Sequence, residues 1–223
     1  MTTLATLRTS ISTDLRDPAN QTFTAPVVTD MVNAALAALS PIAPAQFQED
    51  IMPVADTLQY LVQSDTFDGI AVPEIEVVRA EVWDGTTTPI SYLYALQRAA
   101  GEYVNDSSTG WKMWAGYLEL TNAQEDVIDP DSHLIRVWGY RPYPAVSADD
   151  DVVPVSAELE QAVRAYCRVE ALRRLVLDRD LFTQWQTKSN NTDVSPAALM
   201  NGLAQAEEDW RRRERKLLVL RER

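Results

Sequence analysis

The chain has 223 residues, with 20 Lys and Arg against 33 Asp and Glu, a formal charge of -13 and an apolar fraction of 46%. That length and apolar content allow one large domain or two small ones with a real core, and the single cysteine, Cys167, excludes an internal disulfide. No apolar run approaches the ~20 residues of a membrane span, and MTTLATLRTSISTDLRD lacks the basic region and apolar core of a secretory signal, so a soluble, intracellular protein is expected.

The first helix is expected from Leu4 to Leu15, because Leu4, Leu7, Ile11 and Leu15 recur at spacings of three and four and form one stripe. Asp17-Pro18-Ala19-Asn20 stops it. A second helix starts near Thr24 as N-cap, with Pro26 tolerated in the first turn. Val28, Met31 or Val32, Ala35, Leu36 and Leu39 line its face, and Pro41 ends it. The two form a helical hairpin.

From about Phe47 to Tyr143 the period changes to two. Ile75 to Trp83 is rich in β-formers, Asp84-Gly85 is a turn, and Ser91 to Leu96 is a return strand. Trp111 to Trp114, Tyr117 to Thr121 and His133 to Tyr140 supply more strands, with a turn at Asp129-Pro130-Asp131-Ser132. Short connections in sequence predict an antiparallel sheet folded over itself. Ser156 then caps a third helix, with Glu158 in its first turn and a stripe of Leu159, Ala162, Val163, Tyr166, Val169, Leu172 and Leu175. After a polar loop at 188–193, Ser195-Pro196 opens a fourth helix.

The expected fold class is therefore α+β. A helical hairpin occupies 1–46 and an antiparallel, sandwich-like β domain 47–147. A helical part at 148–208 packs with the N-terminal helices, and 209–223 forms a basic and apolar docking arm.

Charge is unevenly placed. Residues 1–157 hold 7 Lys and Arg against 22 Asp and Glu, whereas residues 158–223 hold 13 against 11. The first part repels nucleic acid, and only the C-terminal end attracts an anion.

Several residues invite a catalytic or binding role and have a plainer reading. His133, the only histidine, stands near Asp131 but reads as a strand residue after a turn. Asp149-Asp150-Asp151 lacks the spaced ligands and Gly of a metal loop and reads as a solvated linker. No phosphate-cradling Gly loop or nucleophile elbow occurs. Trp111, Trp114, Tyr117, Trp138, Tyr140 and Tyr143, with Lys112, Arg136 and Arg141, could stack single-stranded nucleic acid, but core and interface roles fit them better. No enzyme activity, cofactor or metal is expected.

The tail is the least ordinary feature. On the fourth helix Leu199, Leu203, Ala206, Trp210, Leu217 and Leu220 form a heptad-like seam, if Arg213 fills one slot. At ~1.5 Å per residue the helix spans ~40 Å, so its end is expected to project beyond the body. Trp210, Leu217, Leu218 and Leu220, fenced by Arg211, Arg212, Arg213, Arg215 and Lys216, then need a covering partner. These nine residues are the candidate partner-binding site.

Two stretches carry a resemblance: LRTSISTDLRDPANQTFTAPVVTDMVNAALAAL, and GYLELTNAQEDVIDPDSHLIRVWGYRPYPAVSADDDVVPVSAELEQAVRAYCRVEAL. In order of helical hairpin, β-rich insertion and long helices, the chain resembles the head-to-tail connector, or adaptor, proteins of tailed bacteriophages, over nearly its whole length. The resemblance implies a structural virion protein of the neck, assembled in the host cytoplasm. It implies a homo-oligomeric ring, commonly of twelve subunits, that docks on the portal protein by its C-terminal arm, so the nine tail residues are expected to bind the portal or the neighbouring subunit. Such a ring extends the channel through which DNA passes without specific binding, and it receives tail or neck proteins. Two alternatives stand beside it: another phage neck or tail-completion protein, and a nucleic-acid-binding module that uses the basic tail.

Overall fold

The computed structural model describes residues 2–62, 76–98, 110–114, 117–121, 128–153 and 155–221, and leaves the side chains of 114 and 219–221 undescribed. Ile75, the start of the first expected β strand, lies outside the described residues, as do the side chains of Trp114 and Leu220. The fold is α+β. Two compact units divide it: a helical unit of Met1–Ala45 with Pro142–Arg223, and a β unit, Gln46–Arg141, carried as an insertion. The stretch 142–147, expected with the β domain, belongs to the helical unit, where Tyr143 and Val146 are buried in its core.

The helical unit opens with a two-residue strand β1 (Thr2–Thr3), paired antiparallel with β9 (Val152–Val153). Helix α1 (Leu4–Asp14) follows, with Thr3 as N-cap. Two of its free N–H groups are satisfied by distant carbonyls: Leu4 N donates to Asp151 O at 2.9 Å and Ala5 N to Asp149 O at 3.1 Å. Leu4, Leu7, Ile11 and Leu15 are all buried, as their spacing requires. Helix α2 (Ala25–Leu39) has Pro26 in its first turn and buries Val28, Met31, Val32, Ala35, Leu36 and Leu39.

The link between α1 and α2 is organised by one buried carboxylate. Asp17 accepts from the backbone N–H of Gln21 at 2.9 Å and of Thr22 and Phe23 at 2.8 Å, and from the Ser189 hydroxyl at 2.8 Å. Arg16 and Asn20 flank it at φ 55° and 51°, the left-handed turns that let the chain wrap round the carboxylate.

Helix α3 (Ala157–Leu177) is capped by Ser156, whose hydroxyl accepts from Leu159 N at 3.3 Å. Its core face includes Cys167, fully buried, and that burial pushes the thiol well above its ordinary range. A short helix α4 (Arg179–Lys188) was not anticipated from the sequence. It is ten residues long, capped by Asp178 through Asp180 N and Leu181 N, and it buries only Phe182 and Trp185. Helix α5 (Pro196–Arg221) completes the unit, with the Ser195 hydroxyl accepting from Ala198 N at 3.1 Å.

The β unit holds a four-stranded sheet in the order β2 (Ala45–Ile51), β8 (His133–Arg141), β4 (Glu76–Asp84), β5 (Ser91–Leu96). A three-stranded sheet has the order β3 (Gln59–Leu61), β7 (Tyr117–Leu120), β6 (Trp111–Trp114). The β4–β5, β4–β8, β3–β7 and β6–β7 pairs are antiparallel. Both sheets contribute to one core: Val77, Val82, Ile135 and Val137 from the first, and Tyr60, Trp111 and Leu118 from the second. That is the layering of a small sandwich. Gly139 is required where β8 passes β4, because a Cβ there would stand 2.2 Å from the Glu76 carbonyl oxygen and 2.7 Å from Phe47 Cε1.

Candidate docking surface

The C-terminal helix does not leave the body at Asp209. The seam predicted for it is real but is occupied within the chain: Leu199, Ala206 and Leu217 are buried, and Leu217 is only 6% exposed. Helix α5 runs antiparallel along α3. Lys216 forms an ion pair with Glu158 in the first turn of α3, and Trp210 meets Tyr166 edge-to-face at 5.2 Å. Farther along, Arg173 donates to Glu207 at 2.9 Å. The expectation of projection is corrected for a geometric reason. Helix α3 is itself 21 residues long, ~31 Å at ~1.5 Å per residue, so the unit is wide enough to cover the seam as far as Leu217.

The cations then fall on the outer side of a seated helix. Arg211, Arg212, Arg215 and Lys216 are exposed, and Arg213, in its predicted seam slot, is half-buried. Most are compensated locally, by Arg213–Asp209 at 3.0 Å, Arg215–Glu208 at 3.4 Å and Arg211–Glu207 at 3.8 Å. Exposed pairs of this kind contribute little to stability, ~0–1 kcal/mol each, but they thin the positive field that an anion would feel. The surface offered outward therefore consists of Arg211, Arg212, Arg215, Lys216 and the exposed Leu218. Trp210 and Leu217 support it from below.

Other sequence candidates have structural duties. His133 Nδ1 accepts from Asp129 N at 3.0 Å within the turn that starts β8. Asp129 in turn accepts from the Ser132 hydroxyl at 2.6 Å and Asp131 N at 3.0 Å, and these bonds hold its carboxyl below the usual range. The 149–151 acids are not a free linker. Asp149 pairs with Arg8, and Asp151 accepts from Ser147 N at 2.7 Å and Ala148 N at 2.8 Å, which lowers its pKa. Among the described residues no group of three or more His, Cys, Asp or Glu could hold a metal, and no helix is long and apolar enough to cross a membrane.

The aromatics are dispersed rather than gathered into one platform. Trp111 is buried in the β core and Tyr143 in the helical core, where burial raises its hydroxyl pKa. Trp138 instead joins a cross-strand ladder on the four-stranded sheet. Arg79, opposite it in register, lies 4.8 Å over its ring, and Arg136 lies 4.5 Å over Trp83. Arg136 also grips Asp50 through two bonds of 2.6 Å, and that grip raises its pKa further. Glu81, opposite Arg136, is fully buried: Trp83 Nε1 donates to Oε2 at 2.9 Å, while Oε1 faces Arg79 as an ion pair. Only Trp138 and Arg136 of this ladder were singled out in the sequence. The alternation of Arg79, Glu81 and Trp83 on β4 was the signal for the remainder.

The sequence matches no protein-family model and no curated protein.

Proposed function

We propose that this protein is a head-to-tail connector of a tailed bacteriophage, a ring-forming virion protein that docks on the portal, prolongs the DNA channel and receives tail components. The observation that carries the reading is the order of the chain: a helical hairpin, an inserted β unit, then long helices that return to the hairpin. Charge supports it. The β unit holds 5 Lys and Arg against 16 Asp and Glu, a surface past which DNA slides without retention. The portal contact falls to Arg211, Arg212, Arg215, Lys216 and Leu218, the outward side of α5.

The test is native mass spectrometry of the protein alone and mixed with the portal of its own phage. A stoichiometric ring with portal is expected. It should be lost in the triple variant Arg211→Glu, Arg212→Glu, Arg215→Glu, whose melting temperature should stay within a few degrees of the parent because these side chains are exposed. Point substitutions replace truncation here, since removal of residues 209–223 would uncover the α3 seam. A monomer that ignores portal would overturn the reading, and salt-sensitive DNA binding by that monomer would favour a nucleic-acid-binding module.

A further inference from the structure

The helical unit contains a cleft of about 220 Å³ between α3, α4, α5 and the α1–α2 link. Its wall is apolar, with Phe23, Leu172, Trp185 and Leu199 among the lining. Gly202 also lines it, and a Cβ on Gly202 would meet nothing within 4 Å. A glycine inside a helix costs about 1 kcal/mol relative to alanine, and among the described residues nothing requires it here. Empty space outside a helix-interior glycine is what the entry of a foreign side chain needs. A cavity of ~150 Å³ accepts a benzene-sized group, so this one takes a Met or Leu side chain.

The cleft's polar lining is mainly basic. Arg16 and Arg168 line it, and among the described residues neither guanidinium makes a hydrogen bond or ion pair, while the one lining carboxylate, Asp14, is tied to Arg164 at 2.8 Å. The neighbouring ends of α3 and α5 leave Leu177 85% and Met200 62% exposed. An occupant must therefore be apolar and carry negative charge.

The chain itself contains such a segment. After β2, Met52 is 67% and Val54 59% exposed. This loop is held rather than loose. Tyr60 Oη accepts from Val54 N and donates to Val54 O, both at 3.3 Å, and Pro53 between the two apolar residues is buried. Exposed Asp56, at φ 59°, follows one residue later, after Ala55, on a unit rich in acids. Two hydrogen bonds thus fix a loop whose apolar side chains face solvent, the pre-organisation of a docking knob.

We propose that the Met52–Asp56 loop of one copy inserts Met52 or Val54 into the Gly202 cleft of a second copy, with Asp56 against Arg16 and Arg168. The contact joins unlike surfaces, so it either closes as a reciprocal pair, each loop in the other's cleft, or propagates into a ring or filament. It is independent of the connector reading, because it requires only a second copy and no portal.

Sedimentation of the full chain tests it through complementation. Met52→Asp with Val54→Asp removes the knob and keeps the cleft, and Gly202→Leu fills the cleft and keeps the knob. Each variant alone should self-associate at least tenfold more weakly than the parent. An equimolar mixture should form a one-to-one complex that grows no further. Gly202→Ala, which folds into open space, should keep or raise the melting temperature while weakening association. The proposal is overturned if the parent stays monomeric up to about 1 mM, the weak end of useful affinity. It is equally overturned if either single variant associates like the parent, or if the mixture fails to pair. Portal docking measured on the same variants separates this contact from the connector reading.

Discussion

Among the described residues each unit of the molecule buries one carboxylate completely, and the two are satisfied in opposite ways. Asp17 in the helical unit makes no ion pair among the described residues; three backbone N–H groups and a hydroxyl supply the counter-dipoles at 2.8–2.9 Å. Glu81 in the β unit relies on side chains, the Trp83 indole, the Arg79 guanidinium and Arg136 opposite it. The first arrangement fixes a path of the main chain, and its loss strands donors that nothing else can serve. The second fixes a pattern of side chains on a sheet whose backbone is already paired. A carboxylate that organises backbone is thus far less replaceable than one that organises a surface.

The largest expected effect tests the first half of that contrast. Asp17→Ala should cost about 3–5 kcal/mol, since the buried N–H groups of Thr22 and Phe23 and the part-buried one of Gln21 lose their acceptor. A urea melt followed by helical circular dichroism should show it, with exchange of the α1 and α2 amides accelerated and that of β4 and β8 unchanged. A loss below about 1 kcal/mol would break the comparison. Leu217→Ala follows, at about 2–3 kcal/mol for a buried leucine in the same melt. A free arm would give no change, so this variant also measures how far the helical unit extends. Glu81→Gln should cost less, about 1 kcal/mol, because the amide still accepts from the Trp83 indole and Arg79, 61% exposed at its side chain, turns to water.

The smallest effect concerns pH. The Asp151 and Asp129 carboxyls lie below their ordinary values when folded. A depressed folded pKa gives stability that is present above the unfolded carboxylate value, ~3.9, and is lost as pH falls through the folded one. Stability should therefore decline on acidification below about pH 4. Asp151→Asn should flatten that limb of the curve by slightly lowering the neutral plateau, because the amide lacks the charge that the Ser147 and Ala148 N–H groups favour. An acid limb identical in the variant would assign the decline to other groups.

Much of this was legible in the sequence. The stripes of α1, α2 and α3, the caps at Ser156 and Ser195-Pro196, and three strands of the four-stranded sheet, β4, β5 and β8, follow from spacing and turn chemistry, whereas β2 does not. Helix α4 was not visible because a ten-residue helix with two buried aromatics leaves no repeating stripe. The β1–β9 pair escaped because two-residue strands have no period. The tail was misjudged for another reason. The seam on α5 was correctly seen as needing a cover, but a sequence does not say whether the cover comes from a partner or from a helix forty residues earlier. The Gly202 cleft and the Met52 loop were invisible for a related reason. A single glycine and two exposed apolar residues acquire meaning only when the space around them is known.

Interruption of the helical unit by the β unit has a consequence for the order of biosynthesis. Residues 2–5 find their backbone partners at 149–153, and Asp17 completes its shell only with Ser189. Helices α1 and α2, made before these partners, must therefore wait, incompletely bonded and with their apolar stripes uncovered, while the whole inserted unit is made. The β unit, continuous in sequence, can reach its final pairing during that interval. A newly made chain thus passes through a stage with a finished middle and an unfinished frame. It is then, rather than in the mature protein, that the hairpin stripe is most open to capture by chaperones or by the wrong copy.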